Sequence, residues 1–121
     1  MNNKQIGSDF ERRMCEVLAK MGYWVHFMSP DNRGAQPFDI IAVKNGIAMA
    51  ADCKTCDDHI FRLSRLEDNQ RLAFEKWRRC GNAEPYLLVK HKQKVYAISY
   101  REIENREKID LDGRRVMCIL E

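Results

Sequence analysis

An Asn-Gly pair between two apolar segments constrains the fold of this chain more than any other feature. Asn45-Gly46 separates residues 38–44 from residues 47–54, and both segments are mostly apolar. Asn-Gly favours a two-residue type I′ turn, because both central positions of that turn need a positive φ. The sequence therefore predicts a β-hairpin in which Lys44 pairs with Ile47. Both faces of this hairpin are apolar, which predicts a central element buried on both sides.

Two acids and a lysine are expected to meet at the open end of this hairpin. The predicted register places Asp39 opposite Asp52, in a non-hydrogen-bonded pair where side chains approach most closely. Lys54 projects from the same face of the strand as Asp52, whereas Cys53 points to the other face. Facing carboxylates repel each other, and acids at the end of a buried element are costly without a partner. A cation between the acids would explain the pattern; the alternative is an exposed strand end with an ordinary ion pair.

The same residues resemble a known motif. Pro37-Phe38-Asp39 followed by Asp52-Cys53-Lys54 is similar to the signature of the PD-(D/E)xK nuclease superfamily, which often takes another acid from its first helix. Within that superfamily, the length and layout most resemble the Holliday-junction resolvases of the archaeal and the Gram-positive or phage type, over roughly residues 5 to 100. The resemblance implies an α/β fold, a restriction-endonuclease-like sandwich whose mixed central sheet is flanked by helices in the order α-β-β-β-α-β-β.

This resemblance also implies a chemistry. It predicts a metal-dependent DNA endonuclease that hydrolyses phosphodiester bonds and resolves Holliday junctions in recombination or repair. The expected cofactor is Mg²⁺, with Mn²⁺ as a substitute, held by Asp39, Asp52, the backbone carbonyl of Cys53 and Glu11. Lys54 would orient the attacking water or neutralise charge on the phosphorane, with help from Gln70. A four-way junction is two-fold symmetric, so the resemblance further implies a homodimer on branched DNA, joined through the first strand or the hairpin of residues 86–98.

Glu11 has two interpretations. A helix is predicted over residues 8–21, with Gly22 as its stop. Ser8 and Glu11 then match a capping box, in which Glu11 would return a hydrogen bond to the Ser8 amide. The resemblance instead makes Glu11 a metal ligand.

Gln70 also has two interpretations. A second helix is predicted from a capping box at Ser64–Glu67 to Cys80, and Gln70 falls on its apolar stripe. A polar amide on a buried face needs a hydrogen-bond partner. Gln70 is either a core glutamine bonded to backbone, or a side chain directed at the site that binds the attacking water or a phosphate.

Arginines surround the predicted site in the sequence. The net charge of +3 permits a polyanionic partner without demanding one. Arginine binds phosphate bidentately, although most charged runs are simply solvated helix faces. The candidate DNA contacts are Arg12, Arg13, Arg33, Arg62, Arg65 and Arg71.

The rest of the sequence predicts one domain spanning residues 1–121. Further strands are predicted at residues 23–28, 85–90, 95–98 and 116–120, and a short helix at residues 101–106. Five cysteines with irregular spacing suit a reducing cytoplasm better than a disulfide framework. No apolar run is long enough for a membrane span. A zinc site at Cys53, Cys56 and His59 is disfavoured, because no second ligand pair completes it.

Two other functions remain open from the residues. One is a different PD-(D/E)xK endonuclease of the restriction or repair type, and the other is a non-catalytic DNA-binding module that retains the fold. The sequence leaves open the preferred DNA structure, the base preference and the number of metal ions.

Overall fold

The computed structural model describes residues 3–28 and 38–121 of the chain. Its elements are α1 (Asn3–Lys20), β1 (Trp24–Phe27), β2 (Ile40–Lys44), β3 (Ile47–Cys56), β4 (Ile60–Arg62), a 3₁₀ turn (Leu63–Arg65), α2 (Asp68–Arg79), β5 (Tyr86–His91), β6 (Lys94–Ser99), α3 (Tyr100–Ile103), β7 (Lys108–Asp110) and β8 (Cys118–Ile119). The predicted α/β class and the mixed sheet are confirmed.

A six-stranded sheet in the order β1-β2-β3-β5-β6-β8 forms the centre of the molecule. Its neighbouring strands are antiparallel except for β3 and β5, which run parallel because α2 returns the chain between them. The predicted hairpin is confirmed: φ is 53° at Asn45 and 77° at Gly46, and Lys44 pairs with Ile47. A separate two-stranded sheet joins β4 to β7.

Each face of the central sheet carries its own hydrophobic core. Phe10, Met14 and Leu18 of α1 pack on one face, and Phe74 of α2 packs on the other. Neighbouring residues of β3 belong to opposite cores, as Ala50 and Ala51 do, because successive side chains of a strand alternate. The central hairpin is therefore buried between two helical layers, as its two apolar faces predict.

The first helix starts earlier than predicted. α1 begins at Asn3, so Ser8 lies inside the helix and its amide is not among the first free N–H groups. The capping-box interpretation of Glu11 is therefore wrong. The helix ends at Lys20, and Gly22 follows with a φ of 96°, as expected of a helix stop.

The second helix starts later than predicted. Leu66 is extended, with φ −85° and ψ 113°, and its buried side chain anchors the chain before α2 begins. The true N-cap is Glu67, whose amide donates to Oε1 of Gln70 at 3.0 Å. Capping therefore involves Gln70 rather than Ser64, and Cys80, the predicted last residue of the helix, lies exposed just beyond it.

The C-terminal part of the chain completes the sheet. The predicted hairpin of residues 86–98 is formed by β5 and β6, but Leu87, Leu88 and Val89 lie in the two cores of this chain. They are not available as a subunit interface. The helix predicted at residues 101–106 is shorter, and Ser99 caps it by accepting from the Glu102 amide. In the part of the chain described, no helix is long and apolar enough to cross a membrane.

Candidate active site

The site forms where β2 separates from β3. Their ladder ends at the pair Ile40 and Ala51, while β3 continues alongside β5 to Cys56. The Asp39 amide donates to the Ala51 carbonyl at 3.0 Å, and the Asp39 carbonyl accepts from Met28 at 2.9 Å. The simple register predicts a regular ladder pair of Asp39 and Asp52, and the structure does not form it. The backbone of Asp39 is instead held by hydrogen bonds to Ala51 on one side and Met28 on the other.

The Asp39 side chain takes the place of the missing strand. Its Oδ2 accepts a hydrogen bond from the Cys53 amide at 2.8 Å. A buried N–H needs a partner, and beyond Ala51 the backbone of β2 no longer supplies one. In a strand, the N–H and C=O of one residue point to the same side. The Cys53 carbonyl therefore faces the same opening as Asp39, whereas its side chain packs in the α1 core.

Asp52 is a buried carboxylic acid with unusual titration. It is 1% exposed, and its Oδ2 lies 3.3 Å from Nζ of Lys54. The pKa of Asp52 is raised to about 8, chiefly by burial, with the neighbouring Asp39 carboxyl adding to the rise and Lys54 opposing it. The contact of this oxygen with Lys54 is an ion pair without the geometry of a hydrogen bond, and no other described residue donates a hydrogen bond to it. The site thus contains two neighbouring carboxyl groups, Asp39 and Asp52, and one lysine to neutralise them.

Lys54 and Gln70 link the strand to helix α2. Nζ of Lys54 donates to Oε1 of Gln70 at 3.3 Å, and the Lys54 side chain is only 16% exposed. The same Oε1 accepts the capping bond from the Glu67 amide. The Gln70 side chain is thus bonded to backbone, as its core interpretation predicts, and it also contacts Lys54; binding of the attacking water or a phosphate stays a prediction.

Glu11 faces this group from helix α1. The pKa of Glu11 is raised to about 7, chiefly by burial, with the charge of Asp39 adding to the rise and Lys54 opposing it. Glu11 is therefore within electrostatic range of Asp39 and Lys54. However, the carboxylate oxygens of Glu11, Asp39 and Asp52 do not all lie within 4.8 Å of one another. As placed, Asp39 and Asp52 form the close pair, and Glu11 stands beside them.

The chemistry of these donors fits a hard divalent cation. Carboxylate and carbonyl oxygens are the ligands that Mg²⁺ selects, and Mg²⁺ keeps several waters besides one or two protein carboxylates. The buried, unsatisfied oxygen of Asp52 is the observation that favours such an ion, since a cation there would compensate a charge that burial otherwise penalises.

A second acidic group lies elsewhere on the surface. Nδ1 of His59 is 3.1 Å from Asp110 and 3.5 Å from Asp112. In the described ranges, this exposed group is the one place where three possible metal-ligand atoms from different His, Cys, Asp or Glu side chains lie within 4.8 Å of one another. The disfavoured zinc set does not form, because Cys53 is buried in the α1 core while His59 bonds Asp110.

The candidate DNA-binding arginines differ in their surroundings. Arg12 and Arg62 are exposed, and Arg33 lies outside the described residues. The others donate to backbone carbonyls: Arg13 to Glu121, Arg65 to Thr55 and Arg71 to Leu63, at 2.6 to 2.7 Å. Arg65 and Lys54 also line a pocket of about 480 Å³ beside the acid pair.

Sequence reasoning missed two lysines of this pocket. Lys90 and Lys92 line it, although the sequence places Lys90 at the end of a predicted strand and Lys92 in the connection that follows, without a link to the site. Lys90 reaches the site because β5 pairs in parallel with β3, which sets Lys90 beside Thr55. The available signal was the helix between these two strands, since a crossover helix of this kind joins parallel neighbours.

Comparison with known proteins gives one family and one fold. The family model for the archaeal Holliday junction resolvase (Hjc) matches residues 2–116. No curated protein sequence matches the chain. The crystal structure of Hjc from Archaeoglobus fulgidus, described as a Holliday junction resolvase from an archaeal hyperthermophile, is similar with a TM-score of 0.66. The two sequences are 21% identical, and the match covers 84% of this chain and 85% of that one.

Proposed function

The chain belongs to the archaeal Holliday junction resolvase (Hjc) family, and from this premise we propose that it cuts four-way DNA junctions by divalent-metal-dependent hydrolysis at the Asp39 and Asp52 pair. Mg²⁺ is the proposed physiological ion, with Mn²⁺ as a substitute. The products would be 5′-phosphate and 3′-hydroxyl ends. One observation carries the proposal: Asp52 has a buried oxygen that no described residue hydrogen-bonds, next to a second carboxylate and a lysine.

The proposed metal ligands are Asp39, Asp52 and the Cys53 carbonyl, with Glu11 as a further acid reached directly or through water. When bound, the ion would polarise the scissile phosphate and lower the pKa of a water molecule. The Cys53 amide orients Asp39 by its 2.8 Å hydrogen bond. This bond keeps the carboxylate in place before substrate arrives, which is the preorganisation that a metal site requires.

Lys54 is the proposed cationic catalytic group. Its ammonium lies 3.3 Å from Asp52 and 3.3 Å from Gln70, so it is positioned at the acids rather than free in solvent. A fixed cation stabilises negative charge that develops on the phosphate in the transition state. Gln70 is proposed to hold Lys54 in this position rather than to contact the attacking water.

A homodimer is proposed because a four-way junction presents two symmetric cleavage points. Trp24 supports an interface at β1: it is 65% exposed on an edge strand of the sheet. Light scattering of the purified protein tests this. Trp24→Ser should shift the dimer towards monomer, whereas Ile119→Ser, at an equally exposed position on the opposite edge strand, should leave it intact.

The decisive experiment compares cleavage of a labelled four-way junction with cleavage of linear duplex of the same sequence. Each is incubated with Mg²⁺ or EDTA, using wild type, Asp52→Asn and the control Asp110→Asn. We expect paired nicks near the branch point that need Mg²⁺, persist in Asp110→Asn and disappear in Asp52→Asn.

Other results would redirect the assignment. Equal cutting of the linear duplex would indicate another endonuclease of the same superfamily. Tight junction binding without cleavage in any metal would indicate a binding module. Loss of cleavage in Asp110→Asn but not in Asp52→Asn would move the metal site to the His59 group.

A further inference from the structure

The parallel strands β3 and β5 end at a pocket that adjoins the acid pair and shares Lys54 and Cys53 with it. The pocket has a volume of about 480 Å³ and is lined by residues 53–57, the first turns of α1 at Ile6 and Gly7, and three cations besides Lys54. Those cations are Arg65, Lys90 and Lys92. Crevices at the carboxyl ends of parallel strands are common ligand sites in α/β proteins.

The charge of the pocket is strongly unbalanced. Of the described residues, four cations and one acid, Asp57, line it. Lys54 pairs with Asp52, but within residues 3–28 and 38–121 the other three cations form no ion pair. Like charges that face one cavity repel each other, and a concave wall of one sign concentrates counter-ions. The pocket is therefore suited to an anion.

Arg65 is held in place for such an anion. Its Nη1 donates to the Thr55 carbonyl at 2.6 Å, and its guanidinium lies 5.3 Å from the centre of the Phe61 ring. A guanidinium has five N–H donors in a fixed planar arrangement, so further donors remain for a phosphate. Lys92 also lines the pocket from the β5–β6 turn, where its backbone has a φ of 57°.

We propose that this pocket binds a phosphodiester group of the cleaved strand next to the scissile phosphate, with Arg65 and Lys92 as positioning residues. This inference rests on the proposed function. The pocket shares Lys54 and Cys53 with the acid pair, so a strand seated there is continuous with the cleavage site. Its volume is in the range of pockets that hold small organic ligands, which suits a single nucleotide.

The first test uses two exposed lysines at the same end of the β5–β6 hairpin. Lys92→Gln removes a pocket cation from the turn, whereas Lys94→Gln removes a cation at the start of β6 that is not among the lining residues of the pocket. Junction affinity is measured by fluorescence anisotropy in EDTA over a series of salt concentrations. Lys92→Gln should weaken binding roughly three- to tenfold and reduce the slope of log Kd against log salt by about 0.9, the value for one phosphate contact. Lys94→Gln should change neither.

The second test fills the pocket without changing its charge. A Cβ at Gly7 would have no heavy atom within 4 Å, and Gly7 lies both inside α1 and on the pocket wall. Gly7→Ala and Gly7→Leu should both fold, because alanine and leucine favour a helix interior more than glycine. Only Gly7→Leu should weaken junction binding, by an amount similar to Lys92→Gln.

Methylphosphonate junctions then identify the bound phosphate. The phosphodiesters near the cleavage point are neutralised one at a time, and one of them should weaken wild-type binding but not Lys92→Gln binding. Two results would contradict the proposed phosphate site: equal affinity and salt slope in Lys92→Gln and wild type, or equal weakening by Lys94→Gln. In either case, junction cleavage by wild type would still support the proposed function. Absence of junction cleavage by wild type would overturn that function instead.

Discussion

Asp39 and Cys53 are joined by a hydrogen bond from the Cys53 amide to the Asp39 carboxylate, at 2.8 Å. The bond replaces a rung of the sheet at the point where β2 ends and β3 continues. It gives Asp39 a structural role at the same position as its proposed metal-binding role. These roles are separable, because an amide oxygen can accept the same hydrogen bond but is a poor metal ligand.

Asp39→Asn is therefore expected to retain the fold and lose cleavage, while Asp39→Ala should lose both. The alanine variant leaves a buried N–H without a partner, which costs about 1 to 3 kcal/mol of unfolding free energy. Both variants should reduce junction cleavage by at least about a hundredfold. Urea unfolding and single-turnover cleavage test this pair. Equal stability of the two variants would show that the Cys53 bond contributes little.

The burial of Asp52 makes the metal-free protein sensitive to pH. Its pKa is raised from 3.8 to about 8, so the folded state prefers the protonated acid. The stability from this preference is fully present below pH 3.8 and is lost as pH rises towards 8. In EDTA, the unfolding free energy should therefore fall with rising pH in this window, by at most about 1.4 kcal/mol per pH unit.

Asp52→Asn is the matched control for this pH dependence, since an amide does not ionise. The variant should unfold at a higher urea concentration than wild type at pH 8 in EDTA, and its pH profile should be flatter, with the remaining slope due in part to Glu11, whose pKa is also raised. Added Mg²⁺ should stabilise wild type more than the variant, because a ligand of the folded state alone raises its stability. A flat profile in wild type would contradict the raised pKa of Asp52.

Glu11 and Ser8 test the two interpretations of the first helix. Because α1 begins at Asn3, Ser8→Ala should be neutral or slightly stabilising, since alanine favours a helix interior. A capping serine would instead cost about 1 kcal/mol on substitution. Glu11→Gln should retain stability but reduce cleavage about 10- to 100-fold, as removal of a group supporting a metal site does. Thermal unfolding and cleavage assays of both variants distinguish the roles.

The hairpin was predictable because its signal is local. Asn45-Gly46 fixes the turn, the turn fixes the register, and the register brings Asp39, Asp52 and Lys54 to one end. The final step needed the structure, since Asp39 departs from the regular ladder to bond Cys53. Local patterns failed at both helix starts. A capping motif indicates only that a helix could begin at that position. The burial of Leu66 in an extended conformation determines where α2 begins.

The pocket cations were not predictable from local patterns at all. Lys90 and Arg65 are brought together by the parallel pairing of β3 and β5 and by the 3₁₀ turn before α2. Both are tertiary arrangements that depend on how two buried faces pack. Gln70 lies between these cases: its place on an apolar stripe indicated a special role, but its double use as cap and lysine partner followed only from the contacts.

That double use leads to a prediction about Gln70. Gln70→Ala removes the acceptor for Lys54 and the cap for the Glu67 amide, so it should lower kcat about 10- to 100-fold and cost about 1 kcal/mol of stability. KM for the junction should change little if Gln70 positions Lys54 rather than binding DNA. Gln70→Glu keeps the acceptor oxygens and should recover much of the rate. Steady-state cleavage kinetics separate these effects: a raised KM with unchanged kcat would instead make Gln70 a DNA contact.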